Sequence, residues 1–160
     1  MRYFSKRIFF FALLFGIIFG VFSSVSLRNS NENTAAQEKN RVTVSFKQVS
    51  VEAEVADRED TRTLGLSGRD QLEEGEGMWF VFPSDDHHSF WMKDMNFPID
   101  ILWFDKDLKV VSIKENAMPE SYPNSFTPSS FDRYVLEVPS GFAKKYEVSF
   151  GDTISVHKTP

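Results

Sequence analysis

The run Ile99-Asp100-Ile101-Leu102-Trp103-Phe104 limits the possible folds more than any other part of this chain. On a strand, successive side chains face opposite ways, so Ile99, Ile101 and Trp103 share one side and Asp100, Leu102 and Phe104 the other. Apart from Asp100 both sides are apolar, which predicts a strand covered on both faces. Just before it, Phe90-Trp91-Met92-Lys93 alternates, with Phe90 and Met92 on one side and Trp91 and Lys93 on the other. A turn around Asn96-Phe97-Pro98 separates the two runs.

The N-terminal part obeys different rules. Met1 to Arg7 carries three cations and no acid, and Ile8 to Phe22 contains only apolar residues and glycine. A helix of that stretch is roughly 22 Å long, and continuing it through Leu27 brings it to about 30 Å, the thickness of the hydrocarbon layer. Residues 1–27 therefore read as an export element, either a cleaved signal peptide or an uncleaved membrane anchor. Ser24-Val25-Ser26 fits a signal-peptidase site, whereas the long Phe-rich stretch fits retention. In both cases the basic flank places the remainder outside the cytoplasm, on the membrane surface if anchored and secreted or periplasmic if cleaved. Residues 28–40 have no apolar side chain larger than Ala and read as a disordered tether. Residues 41–160 are then one domain, large enough to hold a single core. The chain has no cysteine, so disulfides, thiol chemistry and a lipid-modified cysteine are excluded.

The domain is acidic, with 13 basic and 21 acidic residues, a net charge of −8. Such a surface suits neither a phosphate backbone nor anionic lipid heads, so nucleic acid is not an expected partner. Val42, Val44 and Phe46 alternate, the phase shifts at Lys47-Gln48, and Val49, Val51, Ala53 and Val55 alternate again, which predicts a hairpin. Asp57 stands as a helix N-cap ahead of Glu59 and Asp60, predicting a short helix over about 58–66. Further strands are expected at Met78–Phe82, closed by Pro83, and at Leu108–Ile113, Tyr134–Val138 and Thr153–Val156, with a second short helix over 140–146. The Pro-, Ser- and Thr-rich segment 117–130 reads as a long loop. The expected class is mainly β: an antiparallel sandwich or barrel-like domain with one or two short helices, behind an N-terminal hydrophobic helix.

Several motifs share an order and spacing: Arg62-Thr63-Leu64-Gly65-Leu66-Ser67-Gly68-Arg69-Asp70-Gln71-Leu72, Gly77-Met78-Trp79-Phe80-Val81-Phe82, Phe90-Trp91-Met92-Lys93, and Pro98 through Asp105. With Val135-Leu136-Glu137, Gly141 and Gly151-Asp152 they resemble the domain-of-unknown-function 192 family over about residues 49–154. The resemblance implies a small, mostly β domain of sandwich-like form, often exported or membrane-tethered, with no established activity. Three features depart from the family pattern: Ser67 in place of Met, Asp94-Met95 in place of Asn-Thr, and no cysteine in the 117–130 loop.

Asp100 is the most pointed polar residue, since an ionised carboxylate among Leu102 and Phe104 must be hydrogen-bonded or paired. It either accepts backbone N–H groups from the Asn96–Pro98 turn or pairs with Arg62 or Arg69, locking the helix to the sheet; alternatively it forms a polar pocket with Lys93 and an arginine. Trp91 and Lys93, if they face outward, make a platform for a sugar ring, an anionic group or a protein; if both faces are covered, Trp91 is core, as Trp79 and Trp103 read. The candidate ligand-binding residues are Trp91, Lys93, Asp100, Arg62 and Arg69. No catalytic residue is assigned, and Asp85-Asp86-His87-His88 lacks metal-ligand spacing and reads as a solvated loop. No motif implies a metal or a cofactor. The expected function is a binding module for a small ligand, an envelope glycan or an exported protein, the alternative being a hydrolase or lyase of envelope material working through Asp100.

Overall fold

A computed structural model describes residues 40–159. The expected anchor and nearly all of the expected tether lie outside the described residues. Asn40, placed in the tether, already belongs to the folded part: its backbone carbonyl accepts the Val55 N–H at 2.9 Å and its side chain donates to the Val55 carbonyl at 3.1 Å. Among the described residues no helix is long and apolar enough to cross a membrane.

The hairpin forms as its pattern predicts, β1 (Arg41–Phe46) against β2 (Val49–Ala56), with Val44 opposite Val51 and Phe46 opposite Val49. Helix α1 (Glu59–Leu64) follows, but its N-cap is Arg58 rather than Asp57, with the Thr61 hydroxyl accepting the Arg58 N–H at 3.1 Å. Strand β3 (Glu76–Asp86) does not stop at Pro83. Proline removes a ladder donor, and the pairing of β3 breaks between Val81 and Asp86 while the strand direction continues. Then come β4 (Phe90–Trp91), β5 (Ile99–Phe104) and β6 (Val110–Ala117). The expected loop at 117–130 contains a turn of 3-10 helix, Pro119–Ser121, and strand β7 (Ser125–Phe126), which pairs with β4. Strand β8 (Asp132–Pro139), helix α2 (Phe142–Lys145) and β9 (Ser155–Lys158) complete the order.

Seven strands make one sheet in the order β6-β5-β8-β3-β2-β1-β9. The sheet is mainly antiparallel, as expected, with one exception: β2 and β3 run parallel. Parallel neighbours need a crossover of a dozen or more residues, and the segment carrying α1 supplies it. The sheet does not close into a barrel. Its two ends approach through the segment before β9, where an isolated bridge joins Lys109 to Thr153 and the Ile154 N–H reaches the Leu108 carbonyl at 3.1 Å.

Both faces of the sheet are covered, as the 99–104 run requires, and every residue of β5 is buried. One face carries Val44, Val51, Trp79, Leu102, Phe104, Leu136 and Val138, closed by Phe142 and Ala143 of α2 and by Ile154. The other carries Met78, Phe80, Ile99, Ile101, Trp103 and Val135, closed by Leu66 and Met92. Trp79 and Trp103 are core residues, 3% and 1% exposed, and the Trp103 indole N–H donates to the His88 carbonyl at 2.8 Å.

Candidate functional site

Asp100 follows its strand phase onto the first face, beside Leu102 and Phe104, and is fully buried under the start of α2. Its Oδ1 accepts N–H groups from Asn116 at 2.8 Å and Gly141 at 3.2 Å, and its Oδ2 accepts the Ala143 N–H at 2.9 Å. The partners differ from the expected ones: neither the Asn96–Pro98 turn nor an arginine is involved. Asp100 joins β5, β6 and α2 through backbone donors, and it is a member of no pocket with Lys93, Arg62 or Arg69.

The opposite face holds a cleft. Its walls are α1 with the Leu64–Ser67 turn on one side and Ser89–Met95 on the other, and its floor is the sheet. The inner cavity, about 330 Å³, is lined by Phe80, Phe82, Phe90, Trp91, Met95 and Glu137, with Glu59 and Arg62 contributed by α1. It shares Glu59, Thr63, Leu64, Ser67 and Trp91 with an outer hollow of about 750 Å³ whose further lining is Asp60, Lys93 and Asp94. Cross-loop bonds hold the two walls together: Ser67 Oγ donates to the Lys93 carbonyl at 2.9 Å, the Gly68 N–H to the Asp94 carbonyl at 2.8 Å, and Asn96 Nδ2 to the Arg69 carbonyl at 2.8 Å. Asp94 takes a positive φ of 55°, a conformation that Asp tolerates better than most residues.

Trp91 and Lys93 thus lie together at the mouth, and Trp91 is 49% exposed. Arg62 reaches the inner cavity, but its Nη1 donates to the Asp57 carbonyl and to the Val81 carbonyl at 3.0 Å, and its guanidinium lies 5.4 Å from the centre of the Phe82 ring. It ties α1 to β3. Arg69 pairs with Glu54 through two bonds of 2.9 and 2.8 Å, tying the Leu66–Leu72 segment to β2. The hydrogen bond and charge of Arg69 hold the Glu54 carboxyl below its ordinary range.

Glu137, which the sequence reading did not single out, sits at the cleft floor. It alternates in phase with Val135 on β8, stands opposite Met78 of β3 and Ile101 of β5, and is 5% exposed. Its Oε2 is buried with no hydrogen-bond partner among the described residues. Burial pushes its pKa up to about 8, and the charge of Arg69 pulls weakly the other way. At neutral pH this carboxyl is mostly protonated. The signal was legible: Glu137 interrupts an apolar strand between Leu136 and Val138 as Asp100 interrupts β5.

The reading of Asp85 to His88 as a solvated loop is corrected at His88. Asp132, fully buried, accepts the His88 backbone N–H at 3.0 Å and meets its Nδ1 at 2.9 Å, while the imidazole stacks on Phe82 with centroids 3.6 Å apart. Burial raises the Asp132 pKa, and its bonds from His88 oppose that. The pair props Phe82, and with it one side of the cavity. Among the described residues no group of three His, Asp or Glu side chains converges as a metal site.

Two solved structures are similar to this chain in sequence and architecture. A "putative transcription regulator" from Sinorhizobium meliloti 1021 is 30% identical over 72% of this chain and 92% of its own, with a TM-score of 0.67. A protein of unknown function from Novosphingobium aromaticivorans DSM 12444 is 28% identical over 72% of this chain and 83% of its own, with a TM-score of 0.66. No curated protein matches the chain. The family described as "Uncharacterized ACR" matches residues 41–156, which contain the whole cleft and every motif quoted above. The chain belongs to this family, the domain-of-unknown-function 192 family.

Proposed function

We propose that this protein is a binding module that takes a small ligand in the cleft between α1 and the Ser89–Met95 segment. One observation carries the reading: Glu137 presents a buried carboxyl without a hydrogen-bond partner among the described residues, at the floor of a cavity walled by aromatic rings. A buried polar group left unanswered costs about 1–3 kcal/mol, and a ligand that answers it recovers that energy as affinity and specificity. Trp91 at the mouth adds a flat apolar surface for the rest of the ligand. The hydrolase or lyase reading is not carried forward through Asp100, whose two oxygens already accept three backbone N–H groups.

The same reading places the domain outside the cytoplasm, held at a membrane by residues 1–27 or released by cleavage; the basic flank and apolar run support it. The net charge of −8 argues against nucleic acid as the ligand, whatever the name of the Sinorhizobium protein suggests for that protein. The test is a thermal-shift screen of the full chain against sugars, cell-wall fragments, amines, metals and small anions. A ligand present at 100 times its Kd adds about 2.7 kcal/mol and raises Tm by several degrees. Hits that vanish in Trp91→Ala and change in Glu137→Gln support the cleft. Hits indifferent to both variants, or silence across the panel, overturn the small-ligand reading in favour of a protein partner on the exposed Leu64 and Trp91 surface.

A further inference from the structure

We infer that the ligand of this cleft is an organic cation, an amine or quaternary ammonium whose charged head seats against the Glu137 carboxylate among the aromatic rings of the floor. The inference rests on the binding reading above and names its ligand class. Once ionised, Glu137 needs a counter-charge, and the described residues supply none within hydrogen-bond reach. Arg69, whose charge acts on it, is held by both oxygens of Glu54. Arg62 is held by two backbone carbonyls and by the face of Phe82.

The remaining lining selects the same class. Phe80, Phe90 and Trp91 offer the electron-rich surfaces on which ammonium groups bind. The seat of the Arg62 guanidinium on Phe82 is an internal instance of that contact. Glu59 and Arg62 stand in the inner cavity, and Asp94, Lys93 and Asp60, the last paired with Arg58, in the outer hollow, so with Glu137 the lining holds four carboxylates against two cations of its own. Once Glu137 is ionised, that balance favours an entering ammonium over an anion. A bare metal ion lacks a ligand set, since among the described residues no three His, Asp or Glu side chains converge here.

Charge balance gives the inference a readout. The proton that Glu137 holds in the empty cleft must leave when a cation binds, so binding releases one proton to solvent. The groups around Glu137 are Arg69 with its partner Glu54, Glu76 beside Arg69, and Glu59 and Arg62 from α1. Of these, Glu54 is held below the ordinary carboxylate range by the hydrogen bond and charge of Arg69.

The experiment is calorimetry on the full chain with choline and benzylammonium, each against a neutral counterpart, 3,3-dimethylbutan-1-ol and benzyl alcohol, in two buffers of different ionisation enthalpy. At about pH 6.5 each cation should bind at least roughly tenfold more tightly than its counterpart and release close to one proton, with choline affinity rising toward tenfold per pH unit below pH 8. In Glu137→Gln the proton release should disappear and the preference should shrink by at least roughly tenfold, leaving only what the aromatic rings and the other carboxylates contribute. Neutral counterparts that bind as well as the cations, and lose affinity in Trp91→Ala, overturn the inference while the binding module stands. A cation preference that survives Glu137→Gln undiminished overturns it as well, as does silence from all four probes, which leaves the wider ligand screen to judge the binding reading.

Discussion

Two buried carboxylates, on opposite faces of adjacent strands, meet opposite fates. Asp100 is answered by three backbone donors and serves the fold. Replacing it by Asn presents an amide NH2 to N–H donors and removes the charge that strengthens these bonds, so Asp100→Asn should cost about 2–4 kcal/mol in chemical denaturation. Unchanged stability would remove its structural role. Glu137 is unanswered, and its titration should show in stability. In the unfolded chain it ionises near 4.5, in the folded protein near 8. Between those values the folded state holds a proton that the unfolded state has lost, so stability falls as pH rises through this window. Below pH 4.5 the two states are protonated alike and the contribution is flat. Glu137→Gln keeps the shape without the titration. Relative to the wild type it should gain stability from pH 5 to pH 8, by up to roughly 1.4 kcal/mol per pH unit, and parallel pH profiles would show that the carboxyl titrates normally.

At the scale of elements, the parallel pair β2 and β3 depends on a close approach at Gly77. A Cβ there would lie 2.8 Å from the Glu137 carbonyl oxygen and 2.8 Å from Val51 Cγ1. The first of these belongs to the backbone of β8 and cannot move without disturbing its ladders to β3 and β5. Gly77→Ala should therefore destabilise by about 2–3 kcal/mol, which a shift of the denaturation midpoint would measure. Because β8 also carries the Glu137 side chain, any ligand affinity should weaken with it. The Asp132 and His88 pair makes a second element-scale joint, anchoring the segment after β3 to the start of β8. Asp132→Ala leaves the His88 N–H without its partner and should loosen Phe82, lowering stability by about 1–3 kcal/mol. It should also raise hydrogen exchange in Ser89–Trp91, and unaltered exchange there would show that the cavity wall stands without this joint.

Over the whole molecule, what was legible in the sequence is what neighbouring residues decide. Alternation located the β1 and β2 hairpin and gave the facing of Asp100, and the two-sided apolar run announced a covered sheet; alternation put Trp91 opposite Phe90 without deciding whether Trp91 is core or exposed. Pairings set by contacts far apart in sequence were not legible. The parallel partner of β2, the β4 and β7 ribbon across the 117–130 segment, and Asp132 beneath His88 each join segments with no shared local pattern. The cleft belongs to this second group, since its walls come from α1 and Ser89–Met95 and its carboxyl from β8. The same logic bears on how the sheet holds its ends. The C-terminal segment gives Ile154 to the core, pairs β9 with β1, bridges to Lys109 just before β6 and bonds Val110 of β6 through Gly151 and Asp152, so one short stretch touches both edges of an unclosed sheet. Removing residues 152–160 should expose the β1 edge, free Lys47 from Asp152 and uncover Val44 and Val110 together. Both ends of the sheet should then loosen at once: hydrogen exchange should quicken in β1 and in β6 while β3, β5 and β8 stay protected. Exchange that quickens in β1 alone would mean that the bridge to β6 carries no load.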